Sequence, residues 1–271
     1  MFMAALSAHA AALPLFDAHI HYSEDAWPVV SPQEAIARLR EAGVVRALVS
    51  SSNDDGAQRL YAEAPDLVIP ALRPYRTRDN QSRWVHDESI IAHVQARVQK
   101  FQYVAIGELH VSGMEAESAV VRRVVELAKQ HGLMLHVHSD ADTLERIYRQ
   151  DPQARILWAH AGFENPVRVR AMLRRHGALW ADLSFRGELA VDGRVTPGWR
   201  ELFLQFPERF MVGTDTYVPK RWSKVGAHAS WARQWLADLP AEVAERIAYK
   251  NGEAVLTAPF ERARGARDAA R

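Results

Sequence analysis

The chain has 271 residues, of which 48% are hydrophobic and 25% are charged, with a net charge of +1 and no cysteine. This length and apolar share suffice for one substantial core, while the near-neutral charge and the lack of any apolar run of ~20 residues give no reason to expect nucleic acid or a membrane as a partner. The absence of cysteine excludes disulfides, thiolate metal sites and a cysteine nucleophile, so any metal must be held by His, Asp or Glu.

The first twelve residues are open to two interpretations. Met1 to Ala8 is apolar, and Ala8-His9-Ala10 has the small-x-small form of a signal-peptidase site, although no positive residue precedes it. We expect residues 1–12 to be either the remnant of a signal peptide or a disordered start, with export slightly favoured over a cytoplasmic location.

Beyond residue 12, apolar runs of strand length alternate with segments of helical period. Ser31-Pro32-Gln33-Glu34 forms a capping box that starts the first helix, and Gly43 is a C-cap that ends it. Gly132 and Gly177 end later helices in the same manner. The predicted strands are Leu13–Ile20, Val44–Ser50, Leu67–Leu72, Tyr103–Glu108, Leu133–His138, Arg155–His160, Ala178–Leu183 and Arg209–Gly213.

The repeated order of strand, loop, helix and glycine is the pattern of parallel βαβ units. Eight such units in roughly 250 residues predict an α/β fold, a single (β/α)8 TIM-type barrel over residues 13–259, followed by a short polar tail over 260–271. A doubly wound open sheet is the alternative, but no G-x-G-x-x-G or phosphate-loop motif follows the first strand.

His or carboxylate residues close five of the eight predicted strands. His19 and His21 lie two residues apart, so in an extended strand both imidazoles face the same side. In a parallel barrel the carboxyl ends of all strands meet at one face, where active sites lie, so these side chains are expected to converge around a divalent metal. The candidate metal ligands are His19, His21, Glu108, His138, His160 and Asp215.

Each of these residues also has an ordinary structural interpretation. The two histidines of the first strand could be a buried hydrogen-bonded pair, and Glu108, His160 and Asp215 could cap helices. Gly107 beside Glu108 indicates a backbone crowded against something. His136, on the same strand face as His138, is expected one layer deeper or donating a hydrogen bond to a ligand.

The set as a whole resembles the amidohydrolase superfamily of metal-dependent barrels, from Asp17-Ala18-His19-Ile20-His21 to Asp215. The resemblance is greatest to the amidohydrolase-related branch and more distant to TatD-type hydrolases. It implies that His19 and His21 bind the more buried metal, that His138 and His160 are the ligands of strands 5 and 6, and that Asp215 is the aspartate of strand 8.

The resemblance also places Glu108 where many members of the superfamily bridge two metals. Two features depart from the TatD pattern. Gly107-Glu108-Leu109-His110 lacks the Gly-Leu-Asp continuation, and His138-Ser139-Asp140 lacks a basic residue. Nuclease activity is therefore not expected.

These considerations predict a metal-dependent hydrolase that uses one or two divalent ions, with zinc preferred over manganese, iron or nickel. A metal-bound hydroxide is expected to attack a small carbonyl, ester or amide substrate, with Asp215 as general base and acid. The metal, together with His160 or His138, is expected to polarise the scissile group. The alternative is a non-oxidative decarboxylase of a small aromatic or related acid, against which the charge of Glu108 counts mildly. A third interpretation is a metal-binding barrel without catalysis.

Substrate contacts are expected from the loops that follow the strands. Arg73 and Tyr75 follow the third strand, Arg186 the seventh and Tyr217 the eighth, and arginines that face a pocket bind carboxylates through two parallel hydrogen bonds. We therefore predict a small-molecule substrate with an acidic group. The sequence leaves a homo-oligomer possible.

Overall fold

The computed structural model describes residues 12–269. Eight parallel strands form one sheet in which each strand pairs with the next along the chain. These strands are β1 (Leu15–His21), β2 (Val44–Ser50), β3 (Val68–Leu72), β4 (Ala105–His110), β5 (Met134–His138), β6 (Ile156–Trp158), β7 (Leu179–Asp182) and β10 (Phe210–Met211); between the last two lies an antiparallel hairpin, β8 (Ala190–Val191) and β9 (Arg194–Val195). The predicted (β/α)8 barrel is confirmed.

The barrel closes where the segment after β10 meets β1. The amide of Asp215 donates to the carbonyl of His19 at 2.8 Å, and the amide of His21 donates to the carbonyl of Thr216 at 3.0 Å. These backbone bonds bring Asp215 next to the two histidines of β1, although nearly 200 residues separate them in sequence.

The helices surround the barrel and join consecutive strands. At the start of the first helix the predicted capping box is present, with Ser31 N donating to Glu34 at 2.8 Å and Glu34 N donating to Ser31 Oγ at 3.2 Å. The helices are α1 (Pro32–Glu41), α2 (Asp55–Glu63), α3 (Ser89–Lys100), α4 (Ala119–Gln130), α5 (Ala141–Gln150), α6 (Pro166–Arg175), α7 (Pro197–Gln205), α8 (Pro219–Trp222), α9 (Val225–Leu236), α10 (Ala241–Glu245) and α11 (Ala258–Ala269), with π-helical turns Arg246–Lys250 and Glu253–Thr257 before α11.

A change of register in β1 allows one strand to serve both the core and the site. Phe16 and Ala18 belong to the cluster that fills the barrel interior, while His19 and His21 belong to the polar face above it. Under strict alternation, adjacent residues such as Ala18 and His19 would point to opposite faces of the sheet, so only one of the two could face the inside of the barrel. The pairing of β1 with β2 shifts between Asp17 and Ile20, which is where this alternation is interrupted.

The structure describes only part of the two predicted end segments. Residues 1–11 of the predicted signal segment lie outside the described residues. The polar tail predicted from residue 260 is helical to Ala269, because α11 buries Phe260, whose ring meets that of Tyr61 edge-on at 5.8 Å. None of the helices within residues 12–269 has the length and apolar character needed to cross a bilayer.

Candidate active site

The two histidines of β1 lie at the centre of the candidate site and point their rings at each other. His19 Nε2 and His21 Nε2 are 3.0 Å apart, and both side chains are buried. On the far side of each ring, Nδ1 of His19 lies 3.1 Å from the Asp182 carboxylate and Nδ1 of His21 lies 2.9 Å from the carbonyl of Ser50. These acceptors place a proton on each Nδ1, so Nε2 is the atom of each ring that would bind a cation, and the two Nε2 atoms face each other across 3.0 Å.

Two carboxylates from opposite parts of the barrel approach the same point. Glu108 Oε2 lies 3.2 Å and Asp215 Oδ1 3.4 Å from His21 Nε2. Asp215 Oδ1 is buried and accepts no hydrogen bond from any residue within 12–269. A buried carboxylate oxygen without a donor, facing imidazole lone pairs, indicates a missing positive charge.

His160 completes this inner cluster from the end of β6. Its Nδ1 lies 2.8 Å from Ser184 Oγ and 3.0 Å from the Ser184 carbonyl, so its Nε2 also faces inward, 3.6 Å from Glu108 and 3.9 Å from Asp215. The strand ends at Trp158, two residues earlier than predicted, because His160 adopts a left-handed conformation with φ of 56°.

His138 lies on the outer side of Glu108, towards solvent. Its Nδ1 is 2.8 Å from Glu108 Oε1, and about a third of its side chain is exposed. His136, two residues earlier, points below the site, where its Nε2 lies 3.2 Å from Asp182. Burial lowers the pKa of His136 to about 4, so this ring is neutral and fits the deeper position expected for it.

Gly107 explains how β4 delivers Glu108 to the centre of the barrel. A Cβ atom at this position would lie 2.2 Å from the carbonyl oxygen of His136 on β5, and the residue has φ of +143°. The crowding inferred from the sequence is therefore present, and a larger side chain would separate β4 from β5.

The negative charges of the inner cluster favour the binding of a cation. Although burial acts in the opposite direction, Asp182, Asp215 and Glu108 hold the pKa of His19 well above its usual range. Burial likewise opposes ionisation of the two site carboxylates, yet surrounding histidines hold the pKa of Glu108 well below its usual range, and His19 and His21 lower that of Asp215 to about 2. Both carboxylates are therefore anionic at neutral pH.

Arg73 and Tyr75 contact Glu108 from behind. Arg73 Nη2 donates to Glu108 Oε2 at 2.7 Å and its Nε donates to the Tyr75 hydroxyl at 2.9 Å, while that hydroxyl donates to the Glu108 carbonyl at 2.7 Å. Arg73 lines the cavity above the cluster, but its strongest contact is with the protein. Tyr75 is fully buried and orients Glu108 and Arg73, which differs from the predicted substrate contact.

Arg186 differs most from its predicted role in anion binding. Its guanidinium donates to the carbonyls of His160 at 2.8 Å and Glu164 at 2.6 Å and pairs with Glu188. It is buried against the Trp199 ring and supports the loop that carries His160. Sequence position alone could not reveal which way this side chain turns.

A cavity of about 320 Å³ opens directly above the cluster. Phe163, Phe185 and the half-exposed Tyr217 form an aromatic wall, so the predicted Tyr217 lies at the site. The cavity adjoins a wider groove of about 930 Å³, with Arg78 and Gln81 lining both. Arg78 spans the mouth, where it pairs with Asp25 at 3.1 Å and donates to the Tyr217 carbonyl.

The donor set fits a divalent cation. Nitrogen and oxygen atoms of His19, His21 and Glu108, and of His19, His160 and Asp215, lie within 4.8 Å of one another. Neutral imidazoles and carboxylates without thiolates suit zinc, manganese, iron or nickel. Asp182 and Ser50, which sequence reasoning did not single out, hold the histidines in the ligating tautomer.

Comparison with known proteins agrees with this geometry. A family model described as amidohydrolase matches residues 16–257. The chain belongs to the amidohydrolase family. The matched range contains every residue of the cluster, as the sequence resemblance implied. No curated protein matches this amidohydrolase.

Solved structures share the barrel of this amidohydrolase at low sequence identity. A TatD homologue from Escherichia coli K12 has a TM-score of 0.62 and 16% identity, covering 90% of this chain and 98% of its own. A probable 2-pyrone-4,6-dicarboxylic acid hydrolase from Acinetobacter baumannii, with citric acid bound, has a TM-score of 0.60 and 12% identity over 90% and 99%. A β-aspartyl dipeptidase from Fervidobacterium islandicum has a TM-score of 0.59 and 15% identity over 91% and 73%. These likenesses show the fold.

Proposed function

We propose that the protein is a metal-dependent hydrolase that cleaves a small carbonyl, ester or amide substrate with water. The observation that carries the proposal is the unpartnered, buried Oδ1 of Asp215, which faces the inward Nε2 atoms of His19 and His21. His19, His21, His160, Asp215 and the Glu108 carboxylate are the residues that would hold a divalent ion. When bound there, such an ion lowers the pKa of water from ~16 towards ~7 and polarises a carbonyl oxygen.

Asp215 is the general base and acid in this proposal. Its pKa is lowered to about 2, so it is ionised at neutral pH and can accept a proton from the attacking water. It lies at the floor of the cavity, where the same carboxyl can pass that proton to the leaving group. Its backbone bond to His19 fixes this position relative to the cluster.

Arg78 is the proposed contact for an acidic group on the substrate, in place of Arg186. Arg78 pairs with Asp25, but its side chain is partly exposed and lines both the cavity and the groove. Arg186 is buried, and its guanidinium donates to the carbonyls of His160 and Glu164. Arginine binds carboxylates well. A dicarboxylic acid hydrolase with citric acid bound shares the fold, which agrees with a small carboxylate as substrate.

Hydrolysis is favoured over decarboxylation by the charge at Glu108. This carboxylate is anionic and lies 3.2 Å from His21 Nε2, where a substrate carboxylate would have to approach a cation. Electrostatic repulsion would weaken that approach.

A paired assay tests the proposal. Purified protein, loaded with zinc or manganese, is offered lactones, esters and amides with and without a carboxylate, while carbon dioxide release is followed on aromatic acids. We expect hydrolysis of at least one carboxylated carbonyl substrate, lost in Asp215→Asn and retained in the surface control Asp192→Asn. Carbon dioxide release without hydrolysis, or hydrolysis unaffected by chelation, would contradict the proposal.

A further inference from the structure

His110 lies two residues beyond Glu108 on β4 and faces the same cavity, yet the proposed chemistry leaves it without a role. Its Nε2 is 3.7 Å from Glu108 Oε1. The ring is largely buried, with about a quarter of the side chain exposed towards the groove. An imidazole nitrogen that faces a carboxylate oxygen needs either a proton or a cation between them.

The hydrogen bonds of Tyr75 decide which nitrogen of His110 carries the proton. The Tyr75 hydroxyl has one proton and gives it to the Glu108 carbonyl at 2.7 Å, which can only accept. It also accepts from Arg73 Nε at 2.9 Å and contacts His110 Nδ1 at 2.7 Å. The hydroxyl proton is already used, so His110 Nδ1–H must be the donor in the last contact, and His110 Nε2 presents a lone pair to Glu108.

His138 supplies a third donor atom at the same point. Its Nδ1 lies 2.8 Å from Glu108 Oε1, and its ring stacks on that of His110 with centroids 4.3 Å apart. The donor atoms of Glu108, His110 and His138 all lie within 4.8 Å of one another. His160, by contrast, groups with His19 and Asp215 in the inner cluster.

We propose that His110 is a metal ligand, and that Glu108, His110 and His138 hold a second divalent cation on the groove side of the inner cluster. This departs from the resemblance, which pairs His138 with His160. Two imidazoles and one carboxylate suit zinc, cobalt, manganese or iron, and they leave positions open to the groove. The inference rests on the proposed function, because Glu108 serves both cations.

The test titrates metal-free full-length protein with Co²⁺, using calorimetry and visible absorption. Wild-type protein is expected to bind two equivalents. His110→Asn should retain the first and weaken the second at least tenfold, while His21→Asn should weaken the first. His93→Asn, which removes a half-buried histidine on α3 outside the site, is the matched control and should bind both.

Tyr75→Phe is a second variant that leaves all the imidazoles in place. It removes the acceptor that fixes His110 Nδ1–H, so we expect the second Co²⁺ to bind about tenfold more weakly. If circular dichroism shows that His110→Asn does not fold, the affinity of Tyr75→Phe for the second Co²⁺ tests the proposal in its place.

Three results would overturn the inference. These are wild-type affinity for both ions in His110→Asn, loss of the second ion in His160→Asn but not in His110→Asn, and a single equivalent in wild type. A single equivalent with intact hydrolysis contradicts this inference alone. No bound Co²⁺ in wild type contradicts the proposed function as well.

Discussion

Asp182 Oδ2 lies 3.1 Å from Nδ1 of His19, on the side of the imidazole that faces away from the cavity. The same oxygen lies 3.2 Å from Nε2 of His136. Although burial opposes it, the surrounding histidines hold the pKa of Asp182 well below its usual range, so it is an anion at the base of the site. It fixes His19 in the tautomer that a cation needs and increases the basicity of its Nε2.

The first prediction concerns this contact. Asp182→Asn removes the charge and offers His19 an amide instead of a carboxylate, so divalent metal affinity is expected to fall by roughly 10- to 100-fold. Competition with a chromophoric chelator measures the change. Asp151→Asn, a buried aspartate that pairs with Lys129 at 3.2 Å, is the matched control and should not alter affinity. Unchanged affinity in Asp182→Asn would mean that the contact is only structural.

The second prediction concerns proton transfer by Asp215. Asp215→Asn is expected to lower kcat by about 10²- to 10⁴-fold, because the amide cannot accept a proton. Because the pKa of Asp215 is lowered to about 2, its protonation should not produce an acid limb between pH 5 and 8 in the wild-type kcat profile. The pH–rate profiles of both proteins check this. A variant with wild-type kcat would exclude Asp215 as the base.

The third prediction separates the two arginines. Arg186→Ala removes the donor to the buried carbonyl of His160 and to the partly buried carbonyl of Glu164, so it is expected to lower the free energy of unfolding by about 3 kcal/mol. Arg78→Ala, on the partly exposed rim, should change stability by less than about 0.5 kcal/mol and instead raise KM for carboxylated substrates. Urea denaturation and steady-state kinetics distinguish the two effects. If Arg186→Ala instead raised KM for carboxylated substrates without loss of stability, and Arg78→Ala did not raise it, Arg186 would be the anion contact.

Residue spacing predicts those candidate site residues that directly follow a short apolar run in the sequence. His19 and His21 were found from their period of two, and Glu108 from the glycine beside it. His110 is not among the predicted ligands because the predicted fourth strand ends at Glu108, whereas β4 continues to His110. The same period of two, applied to Glu108 and His110, indicates His110 as a further candidate.

Other features depend on three-dimensional contacts that spacing does not encode. Asp182 lies within an apolar run that predicts an ordinary strand, and its proposed role depends on its contact with His19, 163 positions away. The direction of Arg186 depends on a left-handed turn at His160 that no sequence pattern signalled. Barrel closure, in contrast, follows from the repeat of strand and helix and was predictable.

The fourth prediction concerns pH and His228. Burial, with Arg221 and Lys224, lowers the pKa of this half-buried histidine, so the folded state favours the neutral ring. Below the unfolded pKa of ~6.5 the unfolded chain binds more protons, so the free energy of unfolding should fall as pH falls through the folded pKa. His228→Gln should reduce this slope in urea denaturation of metal-free protein between pH 5 and 8. The exposed His131→Gln is the control, and an equal reduction there would contradict the assignment.

Our central proposal is that a divalent cation needed for hydrolysis is held by the imidazoles of His19, His21 and His160 and the carboxylates of Glu108 and Asp215. Its most direct test is the metal content per chain of wild-type protein purified without added metal, measured by mass spectrometry alongside activity before and after chelation. We predict at least one equivalent of a divalent transition metal per chain, with activity lost on its removal and restored on its return. Protein that contains no such metal, binds none when it is offered, and still turns over its substrate would contradict the claim.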